Sequence, residues 1–309
     1  MAQTAKSSNV NVQGFQGITN WHILAVKDNL ENLTNLKRLM AGQILGDRYE
    51  VQQQLGKKSG RWTLLARDLT NEALVILKLV FVDDELKPDD LKLFKREAEA
   101  LKSLKHPSTP EYLGSFEMDL PMNGKAMALV QSYIQGKSLD SYLKEGRNFT
   151  ERESKRIARE VLKILEYLHS RQPPIIHRDI KPSNVLLVTQ PGRSKIQVFL
   201  VDFGSVKSLS ASENTSLTLV GTRGYMPPEQ VGGRTVRASD IYGLGVTLVT
   251  CLTGIEPSEI PSRGMRLEFE TITDLSPDFT TWLKKMVHPA LDRRFATSEE
   301  AMEALRPLM

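Results

Sequence analysis

Hydrophobic positions change their period part-way along the chain. Before about residue 134, short apolar runs lie between turn residues, which predicts strands; beyond Gly136 apolar positions recur at helical spacing. Tyr49-Glu50-Val51 and Thr63-Leu64-Leu65-Ala66 flank Gly56-Lys57-Lys58-Ser59-Gly60, predicting a hairpin with a glycine-containing tip. Residues 74–81 form an apolar strand interrupted by Lys78 alone. Leu91, Phe94, Ala98, Leu101 and Leu104 mark one side of a helix over 90–105, which His106-Pro107 ends. Glu111-Tyr112-Leu113-Gly114 and residues 126–130 give two further strands about a Pro/Asn/Gly turn.

In the second part, helices begin near Ser138. Thr150 and Glu153 form a capping box ahead of the stripe Ile157, Val161, Ile164, Leu165 and Leu168. Ser239-Asp240 is placed to open a buried helix through Cys251, Ser276-Pro277 pairs an N-cap with proline at the first helical position, and Thr297 to Glu300 repeats the capping box. At the N-terminus, residues 1–26 contain no acidic residue and no compact apolar core of a secretory signal, with only weak transit-peptide character. Leu30, Leu33, Leu36, Leu39 and Met40 suggest an amphipathic helix in 21–40 that docks on the main domain or offers a partner surface.

Composition narrows the classes. The 309 residues carry 41 Lys+Arg against 37 Asp+Glu, a formal charge of +4 that is scattered along the chain, so nucleic-acid binding is not expected. The single cysteine rules out an intramolecular disulfide and a cysteine-cluster metal site, and fits a cytoplasmic location. The uncharged run 241–255 is shorter than the roughly 20 residues of a membrane helix, so no transmembrane segment is expected.

The chemistry concentrates in His177-Arg178-Asp179-Ile180-Lys181-Pro182-Ser183-Asn184, which sets a carboxylate, an ammonium and an amide on one loop between apolar runs. Lys78, within its apolar strand, requires an anionic partner, because a buried ammonium without one costs several kcal/mol. Asp202-Phe203-Gly204 follows the apolar run 196–201, Glu97 lies on the predicted helix, and Pro227-Pro228-Glu229 comes downstream.

In this order, those residues resemble the eukaryotic-type serine/threonine protein kinases over about residues 45–309. Gly221-Thr222-Arg223-Gly224-Tyr225-Met226-Pro227-Pro228-Glu229-Gln230 and Val201-Asp202-Phe203-Gly204-Ser205-Val206 are most similar to bacterial members, particularly cyanobacterial ones, with a plastid origin second. The resemblance implies an α+β, bilobal fold: a small antiparallel β-sheet lobe with one main helix over 43–134, a larger mainly helical lobe over 135–309, and an extension over 1–42. It implies ATP with Mg²⁺, or Mn²⁺ in its place, protein substrates carrying Ser or Thr, and a transient homodimer for trans-autophosphorylation.

By the same resemblance, Lys78 would pair with the α- and β-phosphates and be held by Glu97, while Asn184 and Asp202 would ligate the metal. Asp179 would accept the hydroxyl proton, Lys181 would neutralise charge on the transferred group, and Thr222 would contact the catalytic loop. Gln131 would be the gatekeeper of an adenine slot with Ser132-Tyr133-Ile134 as its hinge, Leu186 below, Ile76 within, and Leu55 and Thr63 as the roof. Gly56 and Gly60 would belong to the phosphate cover. Glu229 with Arg294 and the helix-start Asp240 would be structural, as would His177 and Phe203. Arg178, with an otherwise unmatched guanidinium, would receive a phosphate on Thr215, Ser216 or Thr218.

Three departures stand out. The family's second and third loop glycines fall at Lys58 and Arg61, either of which could supply charge in place of backbone N–H groups; Ile76 replaces a small residue, and Pro227 an alanine. Two other readings stay open here: a nucleotide-binding pseudokinase or scaffold, motivated by the degenerate loop, and a small-molecule kinase, against which Thr222 and Glu229 argue.

Overall fold

The computed structural model describes residues 41–58, 60–82, 86, 88–120, 124–189, 196–209 and 220–309. The expected amphipathic segment 21–40 and the candidate phosphorylation sites Thr215, Ser216 and Thr218 lie outside the described residues.

The first lobe is an antiparallel sheet in the order β1-β2-β3-β4-β6-β5. Its strands are β1 (Ile44–Leu45), β2 (Tyr49–Lys58), β3 (Arg61–Asp68), β4 (Leu74–Val82), β5 (Tyr112–Leu120) and β6 (Gly124–Ser132), with helix α1 (Pro88–Ser103) between β4 and β5. Along β3 burial alternates with each residue: Trp62, Leu64 and Ala66 enter the core on one face and Arg61, Thr63 and Leu65 point to the other. The first face joins Leu77, Leu79 and Val130 in its own cluster. On the opposite face Val80 and Leu129 pack with Phe94 and Leu101 of α1, in a cluster continuous with the second lobe. Strand β4 is therefore covered on both sides, which explains an apolar run broken only at Lys78.

Two first-lobe expectations are refined. The hairpin tip keeps a glycine but is shorter than the stretch 56–60, because β2 runs to Lys58 and β3 starts at Arg61, with Lys57 opposite Trp62 and Lys58 opposite Arg61. Gly60 takes φ 65° in the turn, where a side chain would be strained. Helix α1 starts two residues early, at Pro88, with Asp89 and Asp90 in its first turn, where they complement the helix dipole.

The second lobe contains β7 (Lys137–Ser138), α2 (Leu139–Lys144), α3 (Glu151–His169), β8 (Ile175–Ile176), β9 (Val185–Thr189), β10 (Ile196–Leu200), β11 (Lys207–Ser208), α4 (Pro228–Val231), α5 (Arg237–Thr253), β12 (Ser262–Arg263), β13 (Arg266–Leu267), α6 (Pro277–Met286) and α7 (Ser298–Leu305). Both halves of the Thr150–Glu153 capping box form at the start of α3. Helix α5 begins at Arg237 instead of Ser239; the Ser239 hydroxyl accepts from Val236 N at 3.1 Å and so closes the first turn from inside. Ser276 precedes α6 but does not cap it with its side chain: its hydroxyl and N–H both go to Glu151, at 2.6 and 2.8 Å, tying α6 to α3. No helix among the described residues is long and apolar enough to cross a membrane.

Candidate active site

The loop 177–184 is fixed from below by one carboxylate. Asp240, 1% exposed in the first turn of α5, accepts from His177 N at 2.9 Å and Arg178 N at 2.8 Å, and pairs with His169 Nε2 at 2.9 Å. His177 approaches Val201 O through Nε2 at 3.2 Å, while its Nδ1 accepts from Asp179 N at 3.4 Å. That pattern assigns the neutral tautomer with hydrogen on Nε2. Burial pushes the imidazole pKa down, in agreement, and the ring stands edge-on to Phe203 at 5.0 Å.

Arg178 departs from expectation. Its backbone is left-handed at φ 68°, and its guanidinium donates to Ser205 O and Val206 O, so it is not unmatched. These carbonyls lie just after Asp202-Phe203-Gly204, so Arg178 already fastens the start of the following segment to the loop. Pro182 opens a 3-10 turn over Pro182–Asn184.

Asp179 is 6% exposed and its carboxylate is held at both oxygens. Oδ1 accepts from the Thr222 hydroxyl at 2.7 Å; Oδ2 accepts from Asn184 Nδ2 at 3.2 Å and lies 3.0 Å from Lys181 Nζ. Lys181 Nζ also donates to Thr222 Oγ1 at 2.6 Å, closing a ring of three side chains. Asn184 Nδ2 is further committed to Asp179 O at 2.8 Å, which leaves Oδ1 as the amide's outward acceptor, approached by Ser183 Oγ at 3.4 Å.

Lys78 finds the partner its setting demands, and in fact two: Glu97 Oε1 on α1 and Asp202 Oδ1 at 2.6 Å. Burial would lower the ammonium pKa, but the charges of Asp202 and Glu97 outweigh it and hold the group above the ordinary lysine value. Lys78 in turn keeps the Asp202 carboxyl well below the usual carboxylate range, whereas burial raises Glu97. One cation thus spans a helix and the 202–204 turn. A Cβ on Gly204 would lie 3.1 Å from Glu97 Oε2 and 3.3 Å from Asp202 Oδ1, so a side chain there would require these carboxylates to give by a few tenths of an ångström.

Of the remaining positions, Gly56 and Thr63 line a cavity of about 590 Å³ together with Lys78, Asp179, Asp202 and Thr222, whereas Leu55, Gly60, Ile76, Gln131, Ser132, Ile134 and Leu186 are not among its lining residues. Strand register aligns Thr63 with Lys78 and Leu129, and Leu65 with Ile76 and Gln131, on one sheet face. Gln131 is 5% exposed and its Oε1 has no hydrogen-bond partner. Ser132 is fixed at the strand end by its N–H to Glu111 O and its hydroxyl to Glu111 N, each at 2.9 Å, and Ile134 O accepts from Gly136 N at 2.8 Å. Leu186 is half-buried on β9, opposite Ser138. Leu55 is exposed. A Cβ at Gly56 would meet only Thr63, at 3.8 Å and 3.9 Å, so the protein itself does not exclude a side chain there. What glycine preserves at Gly56 is room on the cavity side.

These residues fit a nucleotide with a hard divalent ion. Asn184 Oδ1 and the Asp202 carboxylate are oxygen donors, which Mg²⁺ prefers, and few protein groups suffice when phosphates complete the shell.

Gln230 had no role in the sequence reading. It is 4% exposed, and its Nε2 donates to Arg178 O at 2.7 Å and to Val220 O at 2.8 Å, linking the loop to the segment bearing Thr222. The expected Glu229–Arg294 pair forms at 2.7 Å.

The profile of the protein kinase domain matches residues 49–305, and the chain belongs to that family. It is 35% identical over 282 residues to serine/threonine-protein kinase B of Synechocystis sp., covering 84% of this chain and 46% of the relative. Serine/threonine-protein kinase PknA of Nostoc sp. is 32% identical over 286 residues (85% and 48%), and PknB of Mycolicibacterium smegmatis 29% over 273 residues (84% and 42%). The chain spans about half the length of these relatives.

Proposed function

We propose that the chain is an ATP-dependent serine/threonine protein kinase, and that Asp179 orients the acceptor hydroxyl. The observation that carries this reading is the Asp179 carboxylate, held by Thr222, Lys181 and Asn184 and lining the same cavity as Lys78 and Asp202. When bound, ATP with Mg²⁺ or Mn²⁺ supplies the phosphoryl group and the charge neutralisation at its phosphates.

The protein's part is positioning and electrostatics. Asn184 Oδ1 and Asp202 would hold the metal, and Lys78, kept cationic by Asp202 and Glu97, would pair with the nucleotide phosphates. Asp179 accepts a hydrogen bond from the acceptor hydroxyl and takes its proton, and Lys181 stands beside it to offset negative charge on the group in transfer. Gln131, Ile76, Ser132, Ile134, Leu186, Leu55 and Thr63 form the adenine slot, with Gly56 and Gly60 in its phosphate cover. A serine or threonine hydroxyl on a protein is the substrate, and two copies meeting transiently would supply one for the other. A cytoplasmic setting fits the lone, buried Cys251.

The test is Mg²⁺-dependent transfer of labelled phosphate from ATP to a generic protein, with Asp179→Asn as control. Transfer by the wild type, lost in the variant, is expected. A folded, nucleotide-bound wild type that transfers nothing would establish the scaffold reading instead.

A further inference from the structure

We propose that Arg61, in place of a loop glycine, is a nucleotide-binding residue for the terminal phosphates, held ready by Asp90 until the nucleotide arrives. The inference rests on the kinase reading above and deepens it.

Placement comes first. Arg61 pairs with Val80 in the β3–β4 register, beyond the Thr63–Lys78 pair and on the same sheet face. Arg61–Val80 is thus the second cross-strand pair after Thr63–Lys78, with Trp62–Leu79 between them on the other face; two residues of strand advance about 6.6 Å, so Arg61 lies past Lys78, away from the hinge. Neighbouring contacts fix that direction. Trp62 is 3% exposed, stands edge-on to Phe81 at 5.0 Å and is covered by Lys57 Nζ at 4.9 Å, so the next position on either side must face the cavity. The turn is pinned as well, because Phe81 N donates to Gly60 O at 3.0 Å.

The guanidinium lines the same cavity as Lys78, Asp179, Asp202 and Thr222. One terminal nitrogen lies 3.0 Å from Asp90 Oδ1 on α1 and the charge also acts on Glu97, while its Nε–H, shielded from solvent, has no hydrogen-bond partner. An arginine fork offers five donors and matches phosphate two at a time. The ion pair with Asp90 is about one-third exposed on the arginine side, in the range where such pairs contribute little. Moving from a single carboxylate to a multiply charged phosphate is therefore favourable, and Asp90 acts as a competitor that keeps the fork over the cavity.

The experiment is calorimetric titration of the full chain with a non-hydrolysable ATP analogue plus Mg²⁺, and separately with adenosine. Arg61→Ala should weaken the triphosphate about tenfold, the loss of one charge-assisted contact, and leave adenosine unchanged. Arg61→Lys should recover part of that loss. Asp90→Asn, which removes the competitor, should tighten the triphosphate by about threefold. A wild type that binds the triphosphate and an Arg61→Ala variant that binds it equally well would overturn the role of Arg61 alone. Equal weakening of both ligands in Arg61→Ala and Asp90→Asn would also overturn it, since the pair would then only brace the hairpin on α1. A wild type that binds neither ligand would overturn this proposal together with the nucleotide site.

Discussion

Gln131 places a carbonyl oxygen with no hydrogen-bond partner at a 5% exposed position beside Ile76. A buried acceptor left unpaired costs about 1–3 kcal/mol, so Gln131→Met, which keeps the length and removes the oxygen, should raise the unfolding free energy of the nucleotide-free chain, read from urea denaturation, by about 1 kcal/mol. Adenosine should then stabilise the wild type more than the variant, because only the carboxamide can accept from the 6-amino group. Thr222 tests the opposite situation, a hydroxyl with both roles in use, donating to Asp179 and accepting from Lys181. Thr222→Val should lower turnover roughly 10- to 100-fold with little change in KM for ATP, whereas Thr222→Ser should stay near wild type in the same steady-state assay. The site residues could be found in the sequence because their chemistry is packed into short motifs such as 177–184. Gln230 could not, since its acceptors lie 10 and 52 positions away and nothing local marks it.

At the scale of elements, α5 and the catalytic loop form one unit through Asp240. Three donors converge on its two oxygens, and the residue is 1% exposed, so water cannot replace them. Asp240→Ala should cost about 3–5 kcal/mol, the range for breaking a buried charged network, measured as a drop in the urea midpoint without change of slope. An equal-stability variant would show that the loop is held elsewhere. The strands and α1 were legible because burial on one or both faces writes itself into the apolar period, as in β3 and β4. What stayed illegible were helix ends and two of the helix starts, whereas Thr150 and Thr297 cap their helices as read. Ser239 and Ser276 both read as N-caps, yet one hydroxyl closes a turn from within and the other reaches Glu151 on α3. Local residue type proposes a cap, and a better-placed partner from another element overrides it.

Across the whole molecule, the two lobes share a core through α1, and two histidines, one in each lobe, bear on the pH dependence of its stability. His106 follows α1 and stacks near Tyr167 of α3 at 4.9 Å, and His177 roots the catalytic loop. Burial lowers both pKa values. Below about pH 6.5, the ordinary histidine value, the unfolded chain takes up protons that the folded chain refuses, so stability falls by up to about 1.4 kcal/mol per pH unit per histidine. Other shifted groups act in different windows or in the other direction. Asp68, lowered chiefly by its bond to Arg48, and Asp202, lowered chiefly by Lys78, contribute fully above the ordinary carboxylate pKa and lose that contribution only in stronger acid. Lys78 is raised, so its contribution persists below the ordinary lysine pKa and is lost in alkali. Glu97, raised by burial, favours the folded state as pH falls and partly masks the histidines. The discriminating measurement is therefore a difference: urea midpoints of the wild type and of His106→Gln at pH 7.5 and 5.5. The wild type should lose more stability over that interval than the variant, and parallel losses would mean that His106 titrates alike in the folded and unfolded chain.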